Sequence, residues 1–194
     1  MAPTLTATLT TLITLWLLGG IVWFARRRDD YRHVRHTISE LGEQGAPDAR
    51  RVAWLLFAPV GLVLLATGAL ALRGEAVQPI RETFGLLALA VGVGYLGAAL
   101  FPCDPGSPLG GSLRQQLHNL FGGAEYLGGA AALFVGAQRL ADGAPLAAWF
   151  QGSAAIITAA AVALSLQVVI PVRGLAQRVG ETALFANLVL LAWL

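Results

Sequence analysis

The sequence predicts an all-α integral membrane protein: a bundle of six transmembrane helices with the N- and C-termini on the same, outer side. Hydrophobic residues make up 56% of its 194 residues and charged residues only 12%, against about 25% charged in a soluble domain. Apolar runs long enough to cross a bilayer recur six times along the chain. This composition excludes a disordered chain, a nucleic-acid-binding domain and an ordinary cytosolic enzyme.

The six apolar segments form a single predicted domain over residues 1–194. Each segment is close to the ~20 residues with which an α-helix crosses ~30 Å of hydrocarbon. No segment shows the period-two alternation that is typical of a barrel strand. Arginines or prolines mark most of the ends, and the predicted spans are residues 5–25, 52–72, 83–101, 117–137, 148–170 and 174–194.

The positions of the arginines predict the orientation. All 13 basic residues are arginine, and arginine-rich loops stay in the cytoplasm under the positive-inside rule. The first, third and fifth loops are therefore predicted to be cytoplasmic, and both termini face out. The predicted location is a bacterial inner membrane. The ten arginines in or beside these three loops are Arg26, Arg27, Arg28, Arg32, Arg35, Arg50, Arg51, Arg114, Arg173 and Arg178.

Small residues predict close helix packing. Ala124, Gly128, Ala132 and Gly136 recur every four residues in the fourth span, and such a stripe lets a second helix approach closely. That helix could belong to the same bundle or to a second copy in a homo-oligomer. The glycines of 92–97 fit a GxGxxG pattern but lie inside a span, so we expect packing notches and not a nucleotide site. Membrane lipid is the other predicted partner, and no nucleic acid or protein partner is predicted.

Chemically active side chains collect at one end of the predicted bundle. His33, His36, Ser39, Asp104 and His118 all lie in or beside the first and third loops. His36 and Ser39 are three residues apart, so they would share one face of a helix. Asp104 follows the proline that stops the third span, where it either caps backbone groups or takes part in catalysis. The alternative for the first loop is an interfacial helix whose arginines meet anionic headgroups.

One carboxyl group lies inside a predicted span. Glu125 shares a helix face with Arg114 and His118, one and a half to two turns inside the fourth span. An acidic side chain at the membrane centre costs ~2.5–3.5 kcal/mol on translocon scales, so we expect Glu125 to face the bundle interior. Arg178 and Glu181, three residues apart, are expected to form a local pair.

Three short elements resemble a known family. They are residues 35–42 after the first span, residues 101–104 at the end of the third span, and His118 at the start of the fourth. They resemble the uncharacterised bacterial and archaeal membrane family catalogued as domain of unknown function 998, and the resemblance covers essentially the whole chain. It implies a six-helix membrane protein and brings no established activity. The positions that it singles out are His36, Ser39, Asp104 and His118.

One hypothesis for the function is a metal-assisted hydrolase that acts on lipid at the cytoplasmic face. A divalent metal such as zinc would activate a bound water. A looser analogy is the superfamily of alkaline ceramidases and adiponectin receptors, which place three histidines, an aspartate and a serine around zinc; the paired histidines of its last helix are missing here. The candidate metal ligands are His33, His36 and His118, and the candidate catalytic residues are Ser39, Asp104 and Glu125.

The alternative is a non-enzymatic protein that binds or transports a small molecule or lipid. Glu125, Glu181 and Asn187 would then line a polar pocket between helices, and proline-broken helices fit such a role. A haem protein with two histidine ligands ranks last because His36 is predicted to lie outside the bilayer. The polar groups could also form a purely structural network. Whether the protein is an enzyme stays open at this point.

Overall fold

The computed structural model describes residues 3–73, 78–141, 143–166 and 171–194. Over these ranges the chain is all-α, without a β-strand, as the sequence predicts. A short 3-10 helix, Ser39–Gly42, lies in the first loop. The six long helices are α1 Pro3–Arg26, α2 Ala49–Ala71, α3 Pro79–Leu100, α4 Leu113–Gln138, α5 Pro145–Leu164 and α6 Arg173–Trp193.

Helices α1 to α5 are each long and apolar enough to cross a membrane. The sixth helix, α6, is more polar and is not among them, since it carries Arg173, Arg178, Glu181 and Asn187. The bundle is therefore that of a membrane protein. The side of the membrane on which the termini lie stays a prediction.

The helix bounds agree with the predicted spans to within three residues except at three ends. Helix α3 begins at Pro79, whereas its predicted start is residue 83. Helix α4 begins four residues before the predicted start, because Ser112 caps it by accepting a hydrogen bond from the Gln115 N–H. Polar residues fill this first turn, so hydropathy does not reveal it. Helix α5 ends at Leu164, whereas the predicted span runs to residue 170. Residues 167–170 of that span lie outside the described residues.

The helices pack in a ring in chain order, with α1 between α2 and α6, and α3 in contact with α6 across the ring. The predicted glycine notches are confirmed: a Cβ at Gly92 would collide with α2, and a Cβ at Gly94 or Gly97 would collide with α4. Gly128 and Gly136 of the α4 stripe face α3 in the same way. Ala132 is buried as well, so this part of the predicted stripe serves contacts within the bundle, whereas Ala124 is exposed.

Proline shapes helix α2. Its stretch Val52–Phe57 is wound as a π-helix just before Pro59. Pro59 has no N–H to donate to the Leu55 carbonyl, which an α-helix would require. The indole Nε1 of Trp16 on α1 donates to that carbonyl instead, at 2.9 Å. Because Pro59 leaves the Leu55 carbonyl free, Trp16 can bind it and join α1 to α2.

Candidate functional site

A cavity of about 520 Å³ lies between α3, α4, α5, α6 and the loops at one end of the bundle. We call this end the polar end; it comprises residues 27–48 and 101–112 and the first turn of α6. The volume is in the range of ligand pockets, about 300–1,000 Å³. The polar side chains in its wall are those of Thr37, Ser39, Ser107, His118, Asn119, Glu125, Tyr126, Ser165, Arg173 and Gln177.

The cavity has an apolar lip on the outer face of the bundle. Its wall includes Leu127 of α4, Val162 of α5 and Leu166 just beyond α5, and these side chains are 60%, 55% and 46% exposed. Side chains of this kind on the outside of a membrane bundle meet lipid. Gly122 and Gly123 also line the cavity, and a Cβ on either would meet no atom within 4 Å. The cavity is therefore open along α4, beside these exposed apolar side chains.

Glu125 lies deep in this cavity. Its side chain is 6% exposed and packs into the notch that Gly94 leaves on α3. The carboxyl group neighbours that of Glu181 on α6, and no described residue donates a hydrogen bond to its Oε1. Glu125 faces the interior as predicted, but it lies twelve residues into α4, about 18 Å along the helix. It is therefore deeper than the sequence indicated, because the helix starts earlier.

Two tyrosines hold Glu181 in place. Tyr95 of α3 donates a hydrogen bond of 2.8 Å to Glu181 Oε2, and Tyr126 of α4 donates one of 3.0 Å to Oε1. An ionised carboxylate has only acceptors, so a hydrogen bond between Glu125 and Glu181 requires one proton shared by the pair. Both Glu181 oxygens accept from tyrosines, and of the two carboxyl groups only that of Glu125 belongs to the cavity wall as described.

The predicted ion pair between Arg178 and Glu181 is wrong. No ion pair joins them among the residues that the structure places. Instead Arg178 Nη1 donates to the backbone carbonyls of His33 and His36, at 2.6 and 2.9 Å, and Nη2 donates to the Tyr31 hydroxyl at 2.7 Å. Several carbonyls converge on one guanidinium here, so Arg178 fastens the first loop to α6.

The first two histidines belong to this fastened loop and lie outside the cavity wall. His36 Nδ1 accepts a hydrogen bond of 2.8 Å from the Arg32 N–H. His33 Nδ1 lies 3.0 Å from Arg178 Nη2. Partial burial and the neighbouring positive charge of Arg178 lower the pKa of His33. Both side chains therefore serve loop structure in this geometry.

His118 is the histidine that reaches the cavity. Its Nδ1 lies 2.9 Å from the Phe101 carbonyl oxygen, and because a carbonyl only accepts, Nδ1 carries the proton and Nε2 is left as an acceptor. Within the described ranges, no group of three or more His, Cys, Asp or Glu side chains could hold a metal ion. The structure thus does not gather His33, His36 and His118 into the predicted metal site, since Arg178 and Arg32 hold the first two elsewhere.

Asp104 organises the loop before α4 and lies outside the cavity wall. Its Oδ2 accepts from the Ser112 N–H and its Oδ1 from the Ser112 hydroxyl, both at 2.8 Å, while Gln44 Nε2 donates to Oδ1 at 3.0 Å. The two bonds from Ser112 lower the pKa of Asp104. Of the predicted catalytic residues, Ser39 and Glu125 line the cavity. Of the two roles expected for Asp104, the structure shows the first, in which it caps backbone groups.

The sequence does not indicate several of the residues that form the site. Tyr95 lies in an apolar run, and Tyr126 is marked only by its position next to Glu125. Arg173, at the start of α6, donates to the carbonyls of Gly106 and Ser107 at 3.2 and 2.8 Å, while its buried Nε has no partner among the described residues. The sequence singles out Arg173 only as one of the ten arginines that predict the orientation, and not as a residue of the site.

Comparison with known proteins bears on the family and not on the activity. No curated protein and no solved structure matches the chain. A family model described as "Protein of unknown function (DUF998)" matches residues 11–194, which is nearly the whole chain. The predicted resemblance is thereby confirmed, and the chain belongs to the DUF998 family.

Proposed function

We propose that this protein binds an amphipathic small molecule or lipid that enters the cavity from the bilayer, in a bacterial inner membrane with the polar end facing the cytoplasm. The observation that carries the proposal is Glu125, a carboxyl group in the wall of the cavity whose buried Oε1 accepts no hydrogen bond from the described residues. A buried polar atom without a partner is costly. A ligand that donates a hydrogen bond to it removes that cost.

The wall of the cavity supports an amphipathic ligand. Its inner part is polar, with Glu125 and the Nε2 acceptor of His118, and its lip at Leu127 and Val162 is apolar. A molecule with a small polar head and a hydrocarbon tail matches both parts, because its tail can leave between α4 and α5 into lipid. Pockets with few polar groups in a mainly apolar wall are typical of small-molecule sites.

The hydrolase hypothesis finds less support in the same geometry. The described residues offer no set of three metal-ligating side chains, and Asp104 takes part in loop structure. Ser39 and His118 both line the cavity. Binding needs nothing beyond the cavity and its polar groups, so it is the function that we propose.

A cavity-filling variant tests the proposal. The purified protein in phosphatidylcholine nanodiscs is labelled with a photoreactive probe, hexadecanol that carries a diazirine. Gly123 lines the cavity, and a Cβ there would meet no atom within 4 Å, so Gly123→Leu is chosen to fill part of the cavity. We expect labelling to fall by at least about tenfold, equivalent to about 1.4 kcal/mol.

The matched control is Gly152→Leu. Gly152 is an exposed helical glycine of α5 with equally open space around it, but it does not line the cavity. It should label like the wild type. Equal labelling of the wild type and of both variants would refute the proposal.

A further inference from the structure

We propose that the ligand head is a monocation, an alkylammonium group, which replaces the proton shared by Glu125 and Glu181. This inference rests on the proposed binding function and specifies the charge of the ligand. It follows from the charge on the two carboxyl groups, from the hydrogen bonds that Glu181 accepts and from the position of Glu125 in the cavity wall.

The acid pair can offer one negative charge. A hydrogen bond between two carboxyl groups needs one proton, and in this singly protonated state the pair carries one negative charge. Both oxygens of Glu181 already accept from Tyr95 and Tyr126. Glu125 lines the cavity, and no described residue donates a hydrogen bond to its buried Oε1. A donor that arrives from the cavity therefore meets Glu125 first.

Charge balance favours a cation over other heads. An ammonium group that binds Glu125 while the shared proton leaves to water converts the pair from one to two negative charges and adds one positive charge. The net charge of the site is unchanged by this exchange. A neutral alcohol makes one hydrogen bond without charge stabilisation, and an anionic carboxylate is repelled by the pair.

The other charged and titratable groups around Glu125 and Glu181 do not prevent the exchange of the proton for a cation. Tyr95 and Tyr126 face Glu181 from α3 and α4. Arg178 acts on Glu181 through its charge, but its guanidinium is bound to loop carbonyls. His118 lies in the same wall, nearer the start of α4. Helix α5, Pro145–Leu164, contributes no titratable side chain.

Arg173 does not oppose a cation at this depth. It lies eight residues before Glu181 on α6, which is about 12 Å along the helix, and it binds the carbonyls of the 101–112 loop. A ligand whose tail leaves through the lip at Leu127 and Val162 does not pass it. The ammonium head is thus placed against the acid pair and away from the guanidinium.

Three probes with the same chain test the inference: octylamine, which is a cation at neutral pH, octanol, and octanoate. Each competes with the photoreactive hexadecanol for the wild-type protein in phosphatidylcholine nanodiscs, and empty nanodiscs correct for partitioning into lipid. We expect octylammonium to compete about tenfold better than octanol, a difference of about 1.4 kcal/mol. Octanoate should compete least.

The exchange itself is measured as proton release. In weakly buffered solution with a pH indicator, octylammonium should release about one proton per bound molecule, and octanol none. Linkage then requires its affinity to rise with pH, by up to about tenfold per pH unit while the pair holds its proton. Glu125→Gln, checked for folding by size exclusion and thermal melting, should lose both the proton release and the preference for the cation.

The outcomes separate this inference from the proposed function. If octanol and octylammonium compete equally and no proton is released, the exchange is refuted while binding stands. If no probe competes with the photoreactive alcohol, both the inference and the proposed function fall. Competition and proton release measured on the wild-type protein are enough to separate these outcomes, so the test does not depend on the folding of Glu125→Gln.

Discussion

The Tyr126 hydroxyl on α4 donates a hydrogen bond of 3.0 Å to Glu181 Oε1 on α6, in the interior of the bundle. Tyr95 of α3 completes the arrangement at Oε2. Three helices thus meet at one carboxyl group that is itself 7% exposed. Because Glu181 is held in this way, Glu125 is the carboxyl that is left to interact with a ligand.

Removing one of these hydroxyls should weaken the bundle. Tyr126→Phe deletes a hydrogen bond to Glu181 and keeps the ring. We expect the free energy of unfolding in detergent to fall by about 1 kcal/mol, the usual scale for such bonds between membrane helices. Phe134→Leu, at a side chain that is 54% exposed on the outer face of α4, serves as the control. An unchanged stability of Tyr126→Phe would mean that the hydroxyl has no structural role.

The notch at Gly94 should tolerate no side chain. A Cβ at this position would collide with the side chain of Glu125, and overpacking of this kind costs about 1–3 kcal/mol. We expect Gly94→Ala to lower the melting temperature and to reduce labelling by the photoreactive alcohol, since Glu125 must move. Gly152→Ala, in open space on α5, should melt at or above the wild-type temperature. Equal melting of the two variants would contradict the close packing of α3 on α4.

Acid should remove the contribution of Asp104. The hydrogen bonds from Ser112 lower the pKa of Asp104 in the folded protein. Its stabilisation is therefore fully present above the unfolded value of ~3.9 and is lost as the pH falls through the lower folded value. Asp104→Asn should be less stable than the wild type at neutral pH, and the two should converge in acid.

Unfolding in detergent over a series of pH values checks this prediction. Asp29→Asn, at an exposed position of the first loop, is the control and should follow the wild type throughout. A stability difference for Asp104→Asn that stays constant down to strong acid would show that the charge of Asp104 is irrelevant.

The predicted sidedness can be checked with single cysteines. Burial raises the pKa of the Cys103 thiol to about 12, so the native cysteine should not react with a maleimide near neutral pH. Arg50→Cys lies in the first turn of α2, next to the polar end, and Ala141→Cys lies beyond α4 at the opposite end; both positions are exposed. In intact cells a membrane-impermeant maleimide should label Ala141→Cys and leave Arg50→Cys unlabelled until lysis. The reverse pattern would overturn the arginine-based topology.

Much of the helical framework could be predicted because each span is a local property of the sequence. Hydropathy located five of the helices to within a few residues at nearly every end. The first turn of α4 was missed because its stability comes from the Ser112 cap and from the buried Gln115, which binds the Asp104 N–H. The inward direction of Glu125 was predictable, since lipid cannot solvate a carboxyl group.

The arrangement of the site was not predictable in the same way. Proximity at one end of the bundle suggested that His36 and His118 share a site, but Arg178 binds the loop of His36 from 142 residues along the chain. Likewise the neighbours of Glu181 depend on which helices α6 touches, and spacing within α6 favoured Arg178. Contacts between distant segments decide both cases, and a single sequence carries no signal for them.

The proposal that the cavity binds an amphipathic molecule is tested most directly by mapping where the photoreactive hexadecanol attaches in the wild-type protein. Cross-linked peptides are identified by mass spectrometry after labelling in phosphatidylcholine nanodiscs. We expect attachment in the cavity wall on α4 and α5, around Leu127 and Val162, and its loss in Gly123→Leu. Attachment confined to the lipid-facing side of α1, around Trp16 and Trp23, would show that the alcohol only contacts the outer surface.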